Sequence, residues 1–149
     1  MIKSFFKTTD SLAPLAARLA LGIVILPHGL QKVFGMFGGF GFAGTMNFFT
    51  HNMGIPYVFA LLAVLAESLG SVAVIAGFST RLSALGVGFT IAVAALMVHI
   101  PNGFFMNWFG KQAGEGFEYH ILAVGLALSL VISGGGKFSL DRLIANRIR

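Results

Sequence analysis

Apolar residues gather into four long blocks, at about 12–34, 56–77, 81–100 and 117–134. Crossing a bilayer as a helix takes roughly 20 mostly apolar residues, so each block predicts a membrane span. The boundaries carry helix punctuation. Asp10 or Ser11 can cap the first block and Pro14 suits its first turn. Gly54 and Pro56 precede the second, and Gly77 to Thr80 forms the turn into the third. Pro101, Asn102 and Gly103 close the third, and Gly134, Gly135 and Gly136 close the fourth. The pattern predicts an all-α four-helix transmembrane bundle within a single domain over 1–149.

Two shorter stretches are amphipathic. Between the first two blocks, Phe42, Met46, Phe49 and Met53 recur at helical spacing, with Thr45, Asn47, Thr50 and His51 on other faces. This predicts a short outer helix lying in the interface or capping the bundle. In the tail SLDRLIANRIR, Leu140, Leu143, Ile144 and Ile148 share one side and arginines the other, which predicts a basic interfacial helix on an anionic leaflet. His28 followed by GLQKVFGMFGG and His99 followed by IPNGFFMNWFG form a weak internal echo.

Composition strengthens this reading. The chain is 56% hydrophobic and 10% charged, with a mean hydropathy of +0.88. Soluble domains carry about 25% charged residues, so this chain has too few to cover a water-facing surface. Its 16 Phe and 20 Gly suit lipid contact and close helix packing, and the Gly-rich faces permit a homo-oligomer. The start, MIKSFFK, resembles a basic leader region. The long apolar stretch carrying Arg18, with no A-x-A site after it, predicts a retained span instead.

The formal charge of +5 sits at helix ends, not in a run with stacking aromatics, so nucleic acid is not an expected partner. One end of the bundle receives Lys3, Lys7, Arg81, Lys137, Arg142, Arg147 and Arg149. The other receives Lys111, with Lys32 at the boundary. The positive-inside rule therefore predicts a multi-pass protein of the bacterial inner (plasma) membrane with both termini cytoplasmic and loops 35–55 and 101–116 facing outward. With no cysteine, thiol redox chemistry and thiolate metal sites are excluded.

Polar residues inside spans are costly and by default face partners in the bundle. Those here are Arg18, His28, Gln31, Lys32, Glu67, His99, Glu118 and His120. From a rise of about 1.5 Å per residue, Glu67 lies at mid-depth, axially between Arg18 and His28. An extended Arg18 could reach it as a buried pair, or Glu67 could handle protons. His28 and Lys32 are one helical turn apart and share a face. Pro27 frees a carbonyl near Ile23 behind them. His99 ends the third span, and Glu118 and His120 begin the fourth in the same layer. Being two apart, Glu118 and His120 cannot both point inward. The expected convergence is His28, Lys32, His99 and Glu118, with His120 the odd member.

A quinone needs an apolar cleft, carbonyl hydrogen-bond donors and a proton route. His28, Glu67 and Glu118 are the candidate catalytic groups. Arg18, Gln31, Lys32, His99 and His120 are the candidate cofactor-binding groups. Haem ligation by His28 with His99 or His120 is a weaker expectation without an attachment signature. The scattered histidines lack metal-ligand spacing.

In order, Arg18, HGLQKVFG (28–35), GFAGT (41–45), Glu67, GFSTRLSA (77–84), His99, GFF (103–105), GEGFEY (114–119) and GGGKFSLD (134–141) resemble the DoxX family of small four-helix bacterial membrane proteins. GGGKFSLD departs from that family's usual Pro between the glycines and Arg before the aromatic. The resemblance covers nearly the whole chain and implies a quinone-linked redox role, since the family name is similar to that of membrane subunits of an archaeal thiosulfate:quinone oxidoreductase. It also implies a redox partner protein. Without cysteine, this chain cannot carry a persulfide itself. The expected function is a membrane component of a quinone-linked oxidoreductase system. The alternatives are a non-catalytic scaffold for a redox partner, or a small-molecule or lipid carrier.

Overall fold

The computed structural model describes residues 6–147. Lys3, Ile148 and Arg149, used above for charge and amphipathicity, lie outside the described residues.

The first helix, α1, runs Ala13–Phe34 with Pro14 in its first turn. The Ser11 hydroxyl accepts the Ala13 N–H at 3.1 Å, whereas Asp10 is engaged elsewhere. The helix continues past Pro27 and ends where Gly35, in the left-handed conformation, returns its N–H to the Gln31 carbonyl. The short helix α2, Gly41–Asn47, follows and runs on into a π-helical turn, Phe48–Asn52. Met46 of α2 is buried with Ala60 and Val64, so α2 caps the loop end of the bundle.

The second span, α3, covers Tyr57–Ala76 and contains a π-helical turn at Ala66–Gly70. The third, α4, covers Thr80–Asn102 with a π-helical turn at Ala95–His99. Then come α5, Glu118–Ser133, and the tail helix α6, Leu140–Arg147. Among the described residues, α1, α3 and α4 are long and apolar enough to cross a membrane. The fourth expected span is shorter than 117–134 suggested. Its 16 residues reach about 24 Å at 1.5 Å each, against a hydrocarbon core of about 30 Å. The glycines after Ser133 and a loop tied to Glu118 at the other end set these limits.

The four long helices pack in a ring, α1 and α4 each touching both α3 and α5. The core joins Leu21 and Ile25, Val74, Val87 and Ile91, and Ala123, Ala127 and Leu130 from all four. Gly88 lets α4 and α5 approach closely, since a Cβ there would stand 2.7 Å from that of Ala127. Leu82, Leu85, Phe89, Leu122 and Ile132 face outward, an apolar surface that suits lipid.

At the end carrying the termini, Arg18 is fully buried and does not reach Glu67. Its Nη1 donates to the Ile75 carbonyl at 3.0 Å. Its Nη2 donates to Lys137 and Phe138 at 3.3 and 3.1 Å. A rigid fork suits this convergence of carbonyls where α3 ends and the chain turns into α6. The expected Arg18–Glu67 pair is thus replaced by a structural clasp far along the bundle from the other polar residues. Asp141 completes it by accepting the Ser79 and Thr80 N–H groups at 2.6 and 2.8 Å, which caps α4. The tail helix is therefore docked onto the α3–α4 turn, while Leu140 and Leu143 stay exposed.

Candidate functional site

The loop half of the bundle holds the remaining polar residues. The Lys32 ammonium donates to the Glu67 carboxylate, joining α1 to α3. Glu67 is 5% exposed, so the bundle excludes most water from the pair. Gly29 permits this contact one turn before Lys32. A Cβ on Gly29 would lie 2.6 Å from the Ser68 Cα and from the Glu67 carbonyl carbon. Glu67 sits on the π-helical turn of α3, where the regular hydrogen-bond ladder widens. Hydroxyls repair that ladder: Ser68 donates to the Val64 carbonyl at 2.6 Å and Ser71 to the Glu67 carbonyl at 2.7 Å.

Across from the pair, α5 contributes Tyr119 and His120. The His99 and His120 rings stack with centroids 4.0 Å apart, and Tyr119 meets His120 edge-on at 5.3 Å. His99 Nδ1 lies 2.9 Å from the Glu115 carbonyl. A carbonyl only accepts, so Nδ1 carries the proton there and Nε2 of a neutral His99 is left as an acceptor. The Tyr119 hydroxyl and His120 Nδ1 are both buried without a hydrogen-bond partner among the described residues. Buried polar atoms are nearly always paired, so two orphans on adjoining rings mark a place suited to a ligand or water.

The structure rearranges the expected membership. His120, the expected odd member, is 5% exposed and central. Glu118 turns the other way and accepts the Met106 N–H at 2.8 Å and the Trp108 indole N–H at 3.4 Å. With Glu115, which accepts the Asn107 N–H at 2.7 Å, it ties down the loop between α4 and α5. Gln31 donates to the Phe37 carbonyl at 3.3 Å and stabilises the α1 exit. His28 is exposed on the flank of α1. The structure thus pairs Lys32 with Glu67 and His99 with His120, leaves His28 exposed outside both pairs, and engages Arg18, Gln31 and Glu118 elsewhere. Sequence reasoning missed Tyr119. Its only sequence signal is its place beside His120, one residue from a polar position already under suspicion.

A ring of apolar helices carrying a lysine–glutamate pair, paired imidazoles and a phenol defines a small polytopic helical membrane protein with a polar cluster in one half of its bundle. The chain belongs to the DoxX family, whose model matches residues 13–100. It is 31% identical over 139 residues to "Inner membrane protein YqjF" of Escherichia coli, covering 93% of this chain and 96% of that one. It is 28% identical to "Inner membrane protein YphA" of the same organism, covering 86% and 87%. It is also 28% identical to "Putative oxidoreductase CatD" of Bacillus subtilis, covering 97% and 92%. No solved structure matches the chain.

Proposed function

We propose that the protein is an integral component of a quinone-linked redox system in the bacterial inner membrane, and that the polar cluster in the loop half of the bundle binds the quinone ring. The observation that carries this reading is that Tyr119 Oη and His120 Nδ1 are buried and have no hydrogen-bond partner among the described residues, in a bundle that also buries the Lys32–Glu67 pair. A phenol hydroxyl and an imidazole N–H are the donors that quinone carbonyls accept from, and the surrounding apolar helices suit the ring. A bound quinone would supply two-electron, two-proton redox chemistry. The chain's own residues would orient it and hold protons: Glu67 with Lys32 on one side, and His99 Nε2 on the other. The positive-inside rule, applied to Lys7, Arg81, Lys137, Arg142 and Arg147, favours cytoplasmic termini and so a site in the outward half of the bundle. The relative named as an oxidoreductase gives this reading a further, weaker support.

A second reading, a non-catalytic scaffold for a redox partner, is favoured by the aromatic surface of the α4–α5 loop, where Trp108 and Phe109 are 79% and 86% exposed. Mass spectrometry of lipids co-purified from native membranes, with Tyr119→Phe and His120→Leu variants alongside, decides between them. Quinone retained by the natural chain and lost from both variants supports the first reading. A natural chain without quinone, whose variants still assemble with the same redox protein, supports the second.

A further inference from the structure

The terminal end of the bundle carries a feature the loop-half site does not use. A groove of about 520 Å³ lies between the end of α3, at Ala76, and α6 with the turn before it. Phe138, Leu140 and Leu143 give it apolar walls, and Lys137 and Arg142 are its cations. We propose that this groove is a binding site for one anionic phospholipid, with the phosphate on Lys137 and Arg142 and the start of an acyl chain against Phe138 and Leu143.

The walls are unusually open for such side chains: Phe138 is 79% exposed and Leu143 59%. They lie at the end of the spans, where hydrocarbon meets headgroups, so a lipid covers them without a protein partner. The cations are available as well. Lys137 stands 3.7 Å from the Asp10 carboxylate, beyond hydrogen-bond length, and keeps its donors. Arg142 pairs with the same carboxylate, but Asp10 is 68% exposed and an ion pair in water holds weakly. A phosphodiester offers Arg142 the bidentate geometry that a guanidinium prefers. Asp141, the single carboxylate of α6, faces the N-terminus of α4 and leaves the groove free of a second negative charge besides Asp10. Arg18 and Asp141 also hold residues 137–141 against the bundle, so the site is formed before any lipid arrives. Free phosphate could satisfy the cations but would leave the apolar walls bare.

Native mass spectrometry of the purified chain, given equal phosphatidylglycerol and phosphatidylcholine, tests this. A basic residue near an anionic headgroup contributes a factor of about five, so the two cations predict about 25-fold preferential retention of phosphatidylglycerol. K137Q/R142Q should abolish the preference. K137Q, which removes no hydrogen bond, should reduce it about five-fold and keeps the test valid if the double variant does not fold. Equal retention of both lipids by the natural chain overturns the proposal. So does an unchanged preference in K137Q, or displacement of phosphatidylglycerol by equimolar inorganic phosphate.

Discussion

Breaking the Lys32–Glu67 pair from either side should give unequal losses, because the two partners differ in access to water. The side chains are 21% and 6% exposed respectively. Removing one partner of a buried pair leaves an uncompensated charge and costs about 3–5 kcal/mol. Lys32→Met strands a carboxylate that the bundle almost entirely encloses, so its loss should fall near about 4 kcal/mol. Glu67→Gln strands an ammonium that keeps about a fifth of its surface in contact with solvent. Its flexible stem can also snorkel toward the loop end, so that loss should be nearer about 2 kcal/mol. The K32M/E67Q chain contains neither charge, and replacing both members of a buried pair is often close to neutral. Its loss should therefore fall well below the sum of the two, with a coupling of at least about 2 kcal/mol. Reversible unfolding in mixed micelles, followed by far-ultraviolet circular dichroism, gives all three values. Single losses that add to within about 0.5 kcal/mol in the double variant would refute the coupling.

Gly29→Ala should destabilise the bundle by about 1–3 kcal/mol, because its new Cβ meets the Ser68 backbone, and should shrink the Lys32–Glu67 coupling measured in the same way. Arg18→Met leaves the Ile75, Lys137 and Phe138 carbonyls without their donors and should lose about 3 kcal/mol or more; Arg18→Lys should restore only part of this in thermal unfolding. Glu118→Ala frees the Met106 N–H and the indole of Trp108, the single tryptophan, so its emission maximum should shift and its acrylamide quenching rise. An unchanged spectrum would mean that Glu118 does not hold the loop. Hydrogen bonding to Arg142 holds the Asp10 carboxyl below its ordinary 3.8. Its contribution is therefore present above that value and lost as pH falls below it. Spin labels at Thr9 and Asn146 should move apart in that acid range, and in Asp10→Asn at all pH values.

The spans were legible because in lipid each helix must satisfy its own backbone, which makes a span a local property of about 20 apolar residues. The Ser11 cap of α1, the outer helix and the tail helix followed from equally local signals, whereas the cap of α4 comes from distant Asp141. The site was only partly legible, since charge and depth are readable along a chain but helix rotation is not. Arg18 is the residue expected within axial reach of Glu67, and Lys32 is expected with His28, His99 and Glu118 instead. Packing of α1 against α3 at Gly29 brought Lys32 to Glu67, while Arg18 was taken by carbonyls supplied from residues 75, 137 and 138. The two-residue spacing of Glu118 and His120 did establish that only one could face inward. Which one was decided elsewhere, by the Met106 N–H and the Trp108 indole drawing Glu118 into the loop and by the His99 ring waiting opposite His120. By itself the sequence determined where the chain crosses the membrane and which residues are costly there. The tertiary structure alone decided their partners, because a pairing depends on how separate helices are turned and set against one another.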